Sequence, residues 1–303
     1  MSLPQPLIIL ASPHSDASRV AAMLGRHRML YAVPELNLFV AERLVDVLDR
    51  IPGARAHGLL RAVAQLYTGE QTLETVDTAR RWLYRRLQRS GADVHREIAA
   101  RVAPLRLVDK SHAYTDVRHE GALERLASTW PGASYLHLVR HPRAQGLAWL
   151  ASPGALHQLF ALGAFERSAR HTTIDPQIDW YRRQCRIDDF LARIPPERQR
   201  RLRLEDLLAD PRGELEALCR WLGLSWSERT YRAMIHPERC SYAHLGPYGA
   251  ETGHDPEFLS SPAFRRVRGA LQAHSLEGAL PWRPDRAPFT PGLRELARGY
   301  GYR

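Results

Sequence analysis

A lysine, a serine and a histidine stand together at Lys110-Ser111-His112, directly after the apolar run at 105–108. An ammonium group can neutralise the charge that develops on a leaving phosphate oxygen. An imidazole with a pKa near neutrality can accept a proton from a hydroxyl group. Lys110 is the only lysine among 43 basic residues, which singles it out. For His112, one of 14 histidines, a surface or hydrogen-bonded structural role is the alternative.

A second candidate site is a polar loop between an apolar run and a segment with helical periodicity. It reads Ser12-Pro13-His14-Ser15-Asp16-Ala17-Ser18. A loop between a buried strand and a helix presents backbone N–H groups and the positive end of the helix dipole to an anion. The segment lacks the glycines of a Walker loop, and an Asp at a helix start is equally well explained as an N-cap. Taken alone, the loop favours the structural interpretation.

The elements that must position these residues alternate along the chain. Apolar runs predict strands at 6–10, 105–108, 135–139 and 201–204. Helical periodicity predicts helices at 17–27, 121–130, 211–222 and 291–298, with two to four more between 38 and 103. Such alternation predicts an α/β fold with parallel strands, in which ligands lie at the carboxyl ends of the strands. Without an internal repeat or a linker, we expect one domain over 1–303, with a helical cap insertion at about 40–104 and a C-terminal loop region at about 227–303.

The composition limits the partners. The formal net charge of +10 fits either a basic, solubilising surface or an anionic ligand. The basic residues are scattered, without an Arg-rich tail or an RNP-like aromatic pattern, so we expect no nucleic-acid partner. No run approaches the ~20 apolar residues of a membrane span, and no basic segment precedes the first apolar run, which disfavours a signal peptide and a membrane partner.

The three cysteines, Cys185, Cys219 and Cys240, lack CxxC spacing, so we expect neither disulfides nor a thiolate metal site. A cytoplasmic location is therefore expected.

Several ordered segments resemble the sulfotransferase family, most closely its bacterial and polyketide-associated members. They start at residues 7, 30, 107 and 136 and read LIILASPHS, LYAVPELNL, LVDKSH and LHLVRHPRA. RLEDL at 203–207 is similar to the RYEDL segment of the family. The resemblance covers roughly residues 5–260. It implies a P-loop NTPase-like three-layer α/β fold, with a central parallel sheet flanked by helices and a helical cap insertion.

The resemblance implies transfer of a sulfuryl group from 3′-phosphoadenosine 5′-phosphosulfate (PAPS) to a hydroxyl or amine, without a metal. In the family, a loop of the type SPRSGTT or PKSGTT holds the 5′-phosphosulfate. Here His14 replaces the basic residue of that loop, Asp16 the glycine and Ala17 the first hydroxyl residue, while Ser18 keeps the last hydroxyl. A carboxylate beside a dianion is repulsive by on the order of 1 kcal/mol or more.

The resemblance also assigns the other donor contacts. Arg140 matches the arginine that binds the 3′-phosphate, but Ala148 stands where the family has a hydrogen-bonding serine. Loss of one hydrogen bond to a charged group costs about 1.5–3 kcal/mol. Lys110 matches the lysine that stabilises charge on the bridging oxygen of the donor.

Two histidines compete for the role of general base. His112 corresponds to the histidine of the KTH segment in cytosolic sulfotransferases. His244 precedes GHDPEF at 253–258, which looks like the GDPNF segment of polyketide-associated members, in which an upstream histidine helps to deprotonate the substrate. Glu35 belongs to the segment that faces the same pocket, and either orients a base or acceptor or forms a structural salt bridge.

The sequence supports two hypotheses. In the first, the protein sulfurylates a small-molecule or carrier-bound biosynthetic intermediate with PAPS. In the second, a sulfotransferase-fold protein no longer uses PAPS and binds or converts another ligand with His14, Asp16 and His112. The oligomeric state does not follow from the sequence.

Overall fold

A central parallel sheet organises the chain. The computed structural model describes residues 3–51, 53–167, 172–265 and 274–303. The strands in this part are β1 (Leu7–Leu10), β2 (Leu30–Ala32), β3 (Arg106–Asp109), β4 (Ser134–Val139), β5 (Phe165–Arg167), β6 (Thr172–Ile174) and β7 (Gln199–Arg203). Five of them form the sheet in the order β2-β3-β1-β4-β7, with parallel pairing throughout. The strands β5 and β6 form a separate antiparallel pair.

Helices cover both faces of this sheet. The α-helices of the described residues are α1 (Ala17–Gly25), α2 (Leu44–Arg50), α3 (His57–Thr68), α4 (Leu73–Tyr84), α5 (Gly91–Val102), α6 (Ala122–Thr129), α7 (Pro142–Leu150), α8 (Ala155–Ala161), α9 (Pro176–Leu191), α10 (Leu204–Ala209), α11 (Pro211–Trp221), α12 (Glu228–Met234), α13 (Pro256–Ser260) and α14 (Pro291–Gly299). Within the described ranges, none of them combines the length and the apolar character of a membrane span.

Strand β1 shows why the fold has three layers. Its side chains alternate between two apolar clusters, because successive residues of a strand point to opposite faces. Ile8 and Leu10 pack with residues of α2–α6 and α9. Leu7 and Ile9 pack with residues of α1, α10 and α11. A central parallel strand buried on both faces reads as a continuous apolar run, which is what LIIL at 7–10 is.

The predicted fold is confirmed: a parallel sheet lies between two layers of helices. The four predicted strands and the predicted helices at 17–27, 121–130, 211–222 and 291–298 are present with bounds shifted by one to two residues. The segment 38–103 contains four α-helices, which share a core cluster with β1. The region after 227 holds the short helices α12 and α13 in addition to the predicted loops and α14. The single-domain boundaries remain a prediction.

The sequence patterns missed β2, the pair β5 and β6, and helices α7 to α10. The strands are only three residues long, too short for a periodic pattern. Helix α9 was missed because its buried face carries polar residues, among them Asp179, Arg183 and Gln184.

Candidate functional site

The carboxyl ends of β1, β3 and β4 bring the predicted donor residues together. Because the three strands are parallel neighbours, the segments after them meet at one edge of the sheet. Nη1 of Arg140, after β4, donates a hydrogen bond of 2.8 Å to the carbonyl oxygen of His14, after β1. Nδ1 of His112, after β3, lies 3.2 Å from the carbonyl oxygen of Ala11. The three sequence-predicted segments therefore form one cluster.

The loop between β1 and α1 presents unused donors. In the described part of the chain, the backbone N–H groups of His14, Ser15 and Asp16 donate no hydrogen bond, and the buried hydroxyl of Ser15 has no partner. Both His14 and Asp16 have left-handed backbones, with φ of 60° and 63°. A row of free N–H groups in such a turn at a helix N-terminus is suited to an anion. At position 16, where the family carries glycine, the backbone has the conformation that glycine adopts most readily.

The other residues of the loop are held by the protein. The Ser12 hydroxyl accepts a hydrogen bond of 3.1 Å from Gln184 Nε2, and Pro13 lines the cavity described below. Ala17 begins helix α1, and Asp16 occupies its N-cap position without a capping hydrogen bond from its side chain.

Asp16 pairs with Arg19 instead of capping the helix. Its carboxylate accepts a hydrogen bond from Nη1 of Arg19. Burial raises the pKa of Asp16 to about 6, although the charges of Arg19 and Arg140 act in the opposite direction. At neutral pH the loop therefore carries a negative charge next to its free N–H groups.

A buried carboxylate that the sequence analysis did not select, Asp255, lies at the centre of the site. Its Oδ2 accepts hydrogen bonds from the Ser18 hydroxyl at 2.7 Å and from the Ser18 backbone N–H at 3.3 Å. The same oxygen lies 3.7 Å from Nζ of Lys110, and Oδ1 lies 3.1 Å from Nε2 of His112. Burial alone would raise the pKa of Asp255, but the charges of Lys110 and His112 hold it well below its usual value.

Lys110 is fully buried and donates a hydrogen bond of 2.7 Å from Nζ to Oε1 of Glu35. Burial lowers the pKa of Lys110, but the carboxylates of Asp255 and Glu35 outweigh that effect and hold it above its usual value. The lysine is therefore a fixed positive charge at neutral pH.

His112 is engaged through both ring nitrogens. Nδ1 faces the carbonyl oxygen of Ala11 and Nε2 faces the carboxylate of Asp255. Both partners are acceptors, so both contacts are hydrogen bonds only when the two ring nitrogens each carry a proton. Both ring nitrogens of His112 are thus in contact with groups of the protein.

Glu35, His112 and Asp255 also have the spacing of metal ligands, because their ligand atoms lie within 4.8 Å of one another. The ammonium of Lys110 contacts both carboxylates, however, at 2.7 Å and 3.7 Å. A divalent cation among these groups would be repelled by that buried charge. We therefore assign no metal to this cluster.

A cavity of about 400 Å³ opens beside the cluster. Pro13, His14, Glu35, His112, Trp149 and His254 are among its lining residues. Below it, the buried Arg183 forms ion pairs with Asp179 and Asp116 and donates a hydrogen bond of 2.8 Å to the carbonyl oxygen of His112. The buried ion pairs give the cavity a rigid floor and fix the backbone of the Lys110-Ser111-His112 segment.

The remaining predicted residues have different environments. The ring of His14 packs on Trp149, with centroids 5.1 Å apart, and its Nδ1 lies 2.8 Å from Oε1 of Glu257. Ala148 lies half-buried on α7 and offers no polar side chain. His244 is exposed and does not line the cavity; its carbonyl oxygen accepts a hydrogen bond from Arg61. The structure thus brings His14 and Glu35 to the cluster and leaves His244 outside it.

The sequence comparison decides the family. A model of the sulfotransferase family matches residues 6–228. The chain belongs to the sulfotransferase family. The chain is 28% identical over 113 residues to the omega-hydroxy-beta-dihydromenaquinone-9 sulfotransferase Stf3 of Mycobacterium bovis and Mycobacterium tuberculosis. That match covers 35% of this chain and only 27% of the length of those relatives.

The fold of this chain is similar to that of two solved domains. One is a sulfotransferase domain from the curacin biosynthetic pathway, with a TM-score of 0.78, 21% identity, and coverage of 100% of this chain and 99% of the other. The second is a sulfotransferase domain from the olefin synthase of Synechococcus PCC 7002, with a TM-score of 0.69, 23% identity, and coverage of 100% and 97%. Both similarities in fold extend through the last third of the chain, which contains Asp255.

Proposed function

We propose that this sulfotransferase transfers a sulfuryl group from PAPS to a hydroxyl or amine of a small-molecule or carrier-bound biosynthetic intermediate. The observation that carries the proposal is the row of N–H groups at 14–16, which donate no hydrogen bond within the described residues. Arg140 lies beside this row, and the buried Lys110 is joined to the start of α1 through Asp255. The relatives of known pathway, from curacin biosynthesis and an olefin synthase, and the menaquinone-derivative sulfotransferases support an acceptor of this class.

Each part of the site has its own role in this reaction. The loop 12–18 holds the anionic 5′ end of the donor through its N–H groups, and Arg140 supplies positive charge for the 3′-phosphate. PAPS supplies the sulfuryl group. Lys110 stabilises the negative charge on the phosphate oxygen as its bond to sulfur breaks, and the acceptor oxygen forms the new bond to sulfur. The acceptor binds in the cavity, where Glu35, His14 and Trp149 line its walls.

A specific observation favours a second candidate function. The carboxylate of Asp255 already accepts the Ser18 N–H in the first turn of α1, and Asp16 adds a second carboxylate to the loop. A dianionic donor would have to bind close to both of these carboxylates, which repel it. The second candidate is therefore a member of the family that no longer uses PAPS and binds a less charged ligand in the same cavity.

Calorimetric titration with 3′-phosphoadenosine 5′-phosphate (PAP) separates the two candidates. We expect binding by the wild-type protein and tighter binding by Asp16→Gly, by about fivefold, because removal of a charge at a few ångströms is worth about 1 kcal/mol. Glycine also fits the left-handed backbone at this position. If neither protein binds PAP, the second candidate is correct.

The pH dependence of PAP binding tests the same loop. Asp16 has a raised pKa of about 6, so it is ionised and repulsive above pH 6 and neutral below it. Asp16→Asn mimics the neutral form and keeps a side chain that tolerates a left-handed backbone. We expect the variant to bind PAP more tightly than wild type at pH 7.5 and equally at pH 5. The comparison cancels the titration of PAP itself, and an affinity ratio that does not change with pH would place Asp16 away from the nucleotide.

A further inference from the structure

The cavity is lined by charged side chains that the protein compensates almost completely. Besides its histidines, the charged lining residues are Glu35, Arg55, Asp116, Arg118, Arg183 and Asp255. All three carboxylates are ion-paired. Two of them share Lys110, and the third, Asp116, lies between two arginines. The cavity therefore offers no carboxylate without a cation to a ligand.

Arg55 is the exception among these charges. The guanidinium of Arg118 contacts Asp116 through Nε and Nη2 and donates from Nη1 to the carbonyl oxygen of Ala161 at 3.2 Å. Arg183 is held by its two buried ion pairs. The side chain of Arg55 is exposed, and its guanidinium has neither a hydrogen bond nor an ion pair with the residues that the structure describes. Arg55 thus gives the cavity one cation without a counter-ion.

The backbone of Arg55 is fixed at the cavity although its side chain is exposed. Its carbonyl oxygen accepts a hydrogen bond of 3.2 Å from Nδ2 of Asn37, whose own N–H donates to the Ser111 hydroxyl at 3.0 Å. The carbonyl oxygen of Ala54 accepts a hydrogen bond of 3.1 Å from the Thr252 hydroxyl. The segment that carries Arg55 is therefore joined to two other lining segments of the cavity. A ligand has to order only the arginine side chain, which keeps the entropic cost of binding low.

The histidine His119, which also lines the cavity, indicates a positive potential in this region. Its pKa is lowered to about 4, first by burial. Among the nearby charges, one carboxylate, Asp116, opposes this shift, whereas three arginines reinforce it, namely Arg118, Arg55 and Arg183. The surroundings of this ring therefore favour an anionic ligand over a neutral one.

We propose that the acceptor carries an anionic group, a carboxylate or a phosphate, and that Arg55 binds this group in the cavity. The planar fork of a guanidinium matches two oxygens of either group. His14 of the donor loop lines the same cavity, so the hydroxyl or amine of the acceptor can reach the donor while its anionic group is held by Arg55. This inference rests on the proposed function and names the acceptor class as an alcohol or amine with an acidic group.

The test uses straight-chain ω-hydroxy acids of increasing length, each with its neutral primary amide, as acceptors in the presence of PAPS. We expect the wild-type protein to turn over at least one acid with a kcat/KM about tenfold above that of its amide, as one hydrogen bond between charged groups contributes. Arg55→Ala is expected to remove this preference by raising KM for the acid. The rate with the amide and the affinity for PAP are expected to stay unchanged. The ω-hydroxyalkyl phosphates of the same lengths show which of the two anionic groups is preferred.

Two further variants and one binding measurement accompany this test. Arg55→Lys keeps the charge but not the fork, and is expected to retain part of the preference. Arg229→Ala removes an exposed arginine of α12 that does not line the cavity, and is expected to retain all of it. The pKa of the His119 ring, followed by NMR, is expected to rise when wild type binds the acid and not when it binds the amide.

The outcomes separate this inference from the proposed function. An active wild type that does not prefer any acid or phosphate to the matching amide would overturn the acceptor class alone. The same conclusion would follow if Arg55→Ala kept the preference. Weaker binding of PAP by Arg55→Ala would assign Arg55 to the donor instead. A wild type that neither binds PAP nor turns over PAPS would overturn the proposed function, and the acceptor class with it.

Discussion

Replacing Asp255 with alanine is expected to lower the free energy of unfolding by about 3–5 kcal/mol, the usual cost of leaving a buried charge without its partner. The variant leaves Lys110, His112 and the Ser18 hydroxyl facing a gap. Urea denaturation measures the loss. The matched control is Asp77→Ala, which removes an exposed carboxylate paired with Arg81 and is expected to change stability little. A loss no larger than that of the control would mean that Asp255 does not stabilise the cluster.

The pH dependence gives a second readout for Asp255. Its folded-state pKa is held well below the usual value by Lys110 and His112, against the opposing effect of burial, and in the unfolded chain it is about 3.9. Its contribution to stability is therefore fully present above about pH 4 and is lost as the pH falls below that value toward the folded-state pKa. Asp255→Asn keeps the shape but removes the titrating group. We expect the stability of this variant to fall less steeply than that of wild type below pH 4.

Replacing Lys110 with alanine is expected to reduce turnover of PAPS by about 10²-fold or more, because a fixed donor of charge to a leaving oxygen typically contributes that much. The variant also leaves the carboxylates of Glu35 and Asp255 without their shared cation, so we expect a lower melting temperature as well. Turnover must therefore be measured well below the melting temperature of the variant, which thermal unfolding establishes.

Glu35→Gln separates the two effects of Lys110. Glutamine keeps a hydrogen-bond acceptor for Nζ of Lys110. It removes the negative charge of Glu35, so that Asp255 alone forms an ion pair with the lysine. We expect this variant to be destabilised and to retain most of the turnover, because the ammonium remains next to Asp255. If Glu35→Gln and Lys110→Ala lose turnover to the same extent, Lys110 acts through the integrity of the cluster and not through charge on the leaving oxygen.

Local patterns were sufficient to predict the framework of the site. Strands β1, β3 and β4 are apolar runs in the interior of the sheet, and their parallel pairing places the loops after them at one edge. The loop 12–18, Lys110 and Arg140 could therefore be predicted to meet. Their geometry could not be predicted. The burial that raises the pKa of Asp16, and its pairing with Arg19 instead of the helix N-terminus, depend on packing that no local pattern encodes.

Asp255 could not be found from local patterns because its contacts are distant in sequence. It lies 237 residues from Ser18 and 143 residues from His112. The only signal was the segment GHDPEF at 253–258, for which the family resemblance pointed to the exposed His244 upstream. Helix α9 was not predicted from the sequence for a related reason. Its buried side carries Arg183 and Gln184, which are held by partners from other parts of the chain, so its apolar stripe is weak.

The contact between Ser18 and Asp255 also determines when, during synthesis, the loop 12–18 can reach its final structure. Domains of this kind can begin to fold from the N-terminus while the ribosome is still adding residues. Strands β1, β3 and β4 and the buried Lys110 are made long before Asp255 emerges. In the nascent sheet, Lys110 therefore has Glu35 but not Asp255 as a partner, and the Ser18 N–H in the first turn of α1 lacks its acceptor. Ribosome-bound chains halted before residue 255 are expected to remain sensitive to protease around the loop 12–18, and chains long enough to expose that residue to become resistant.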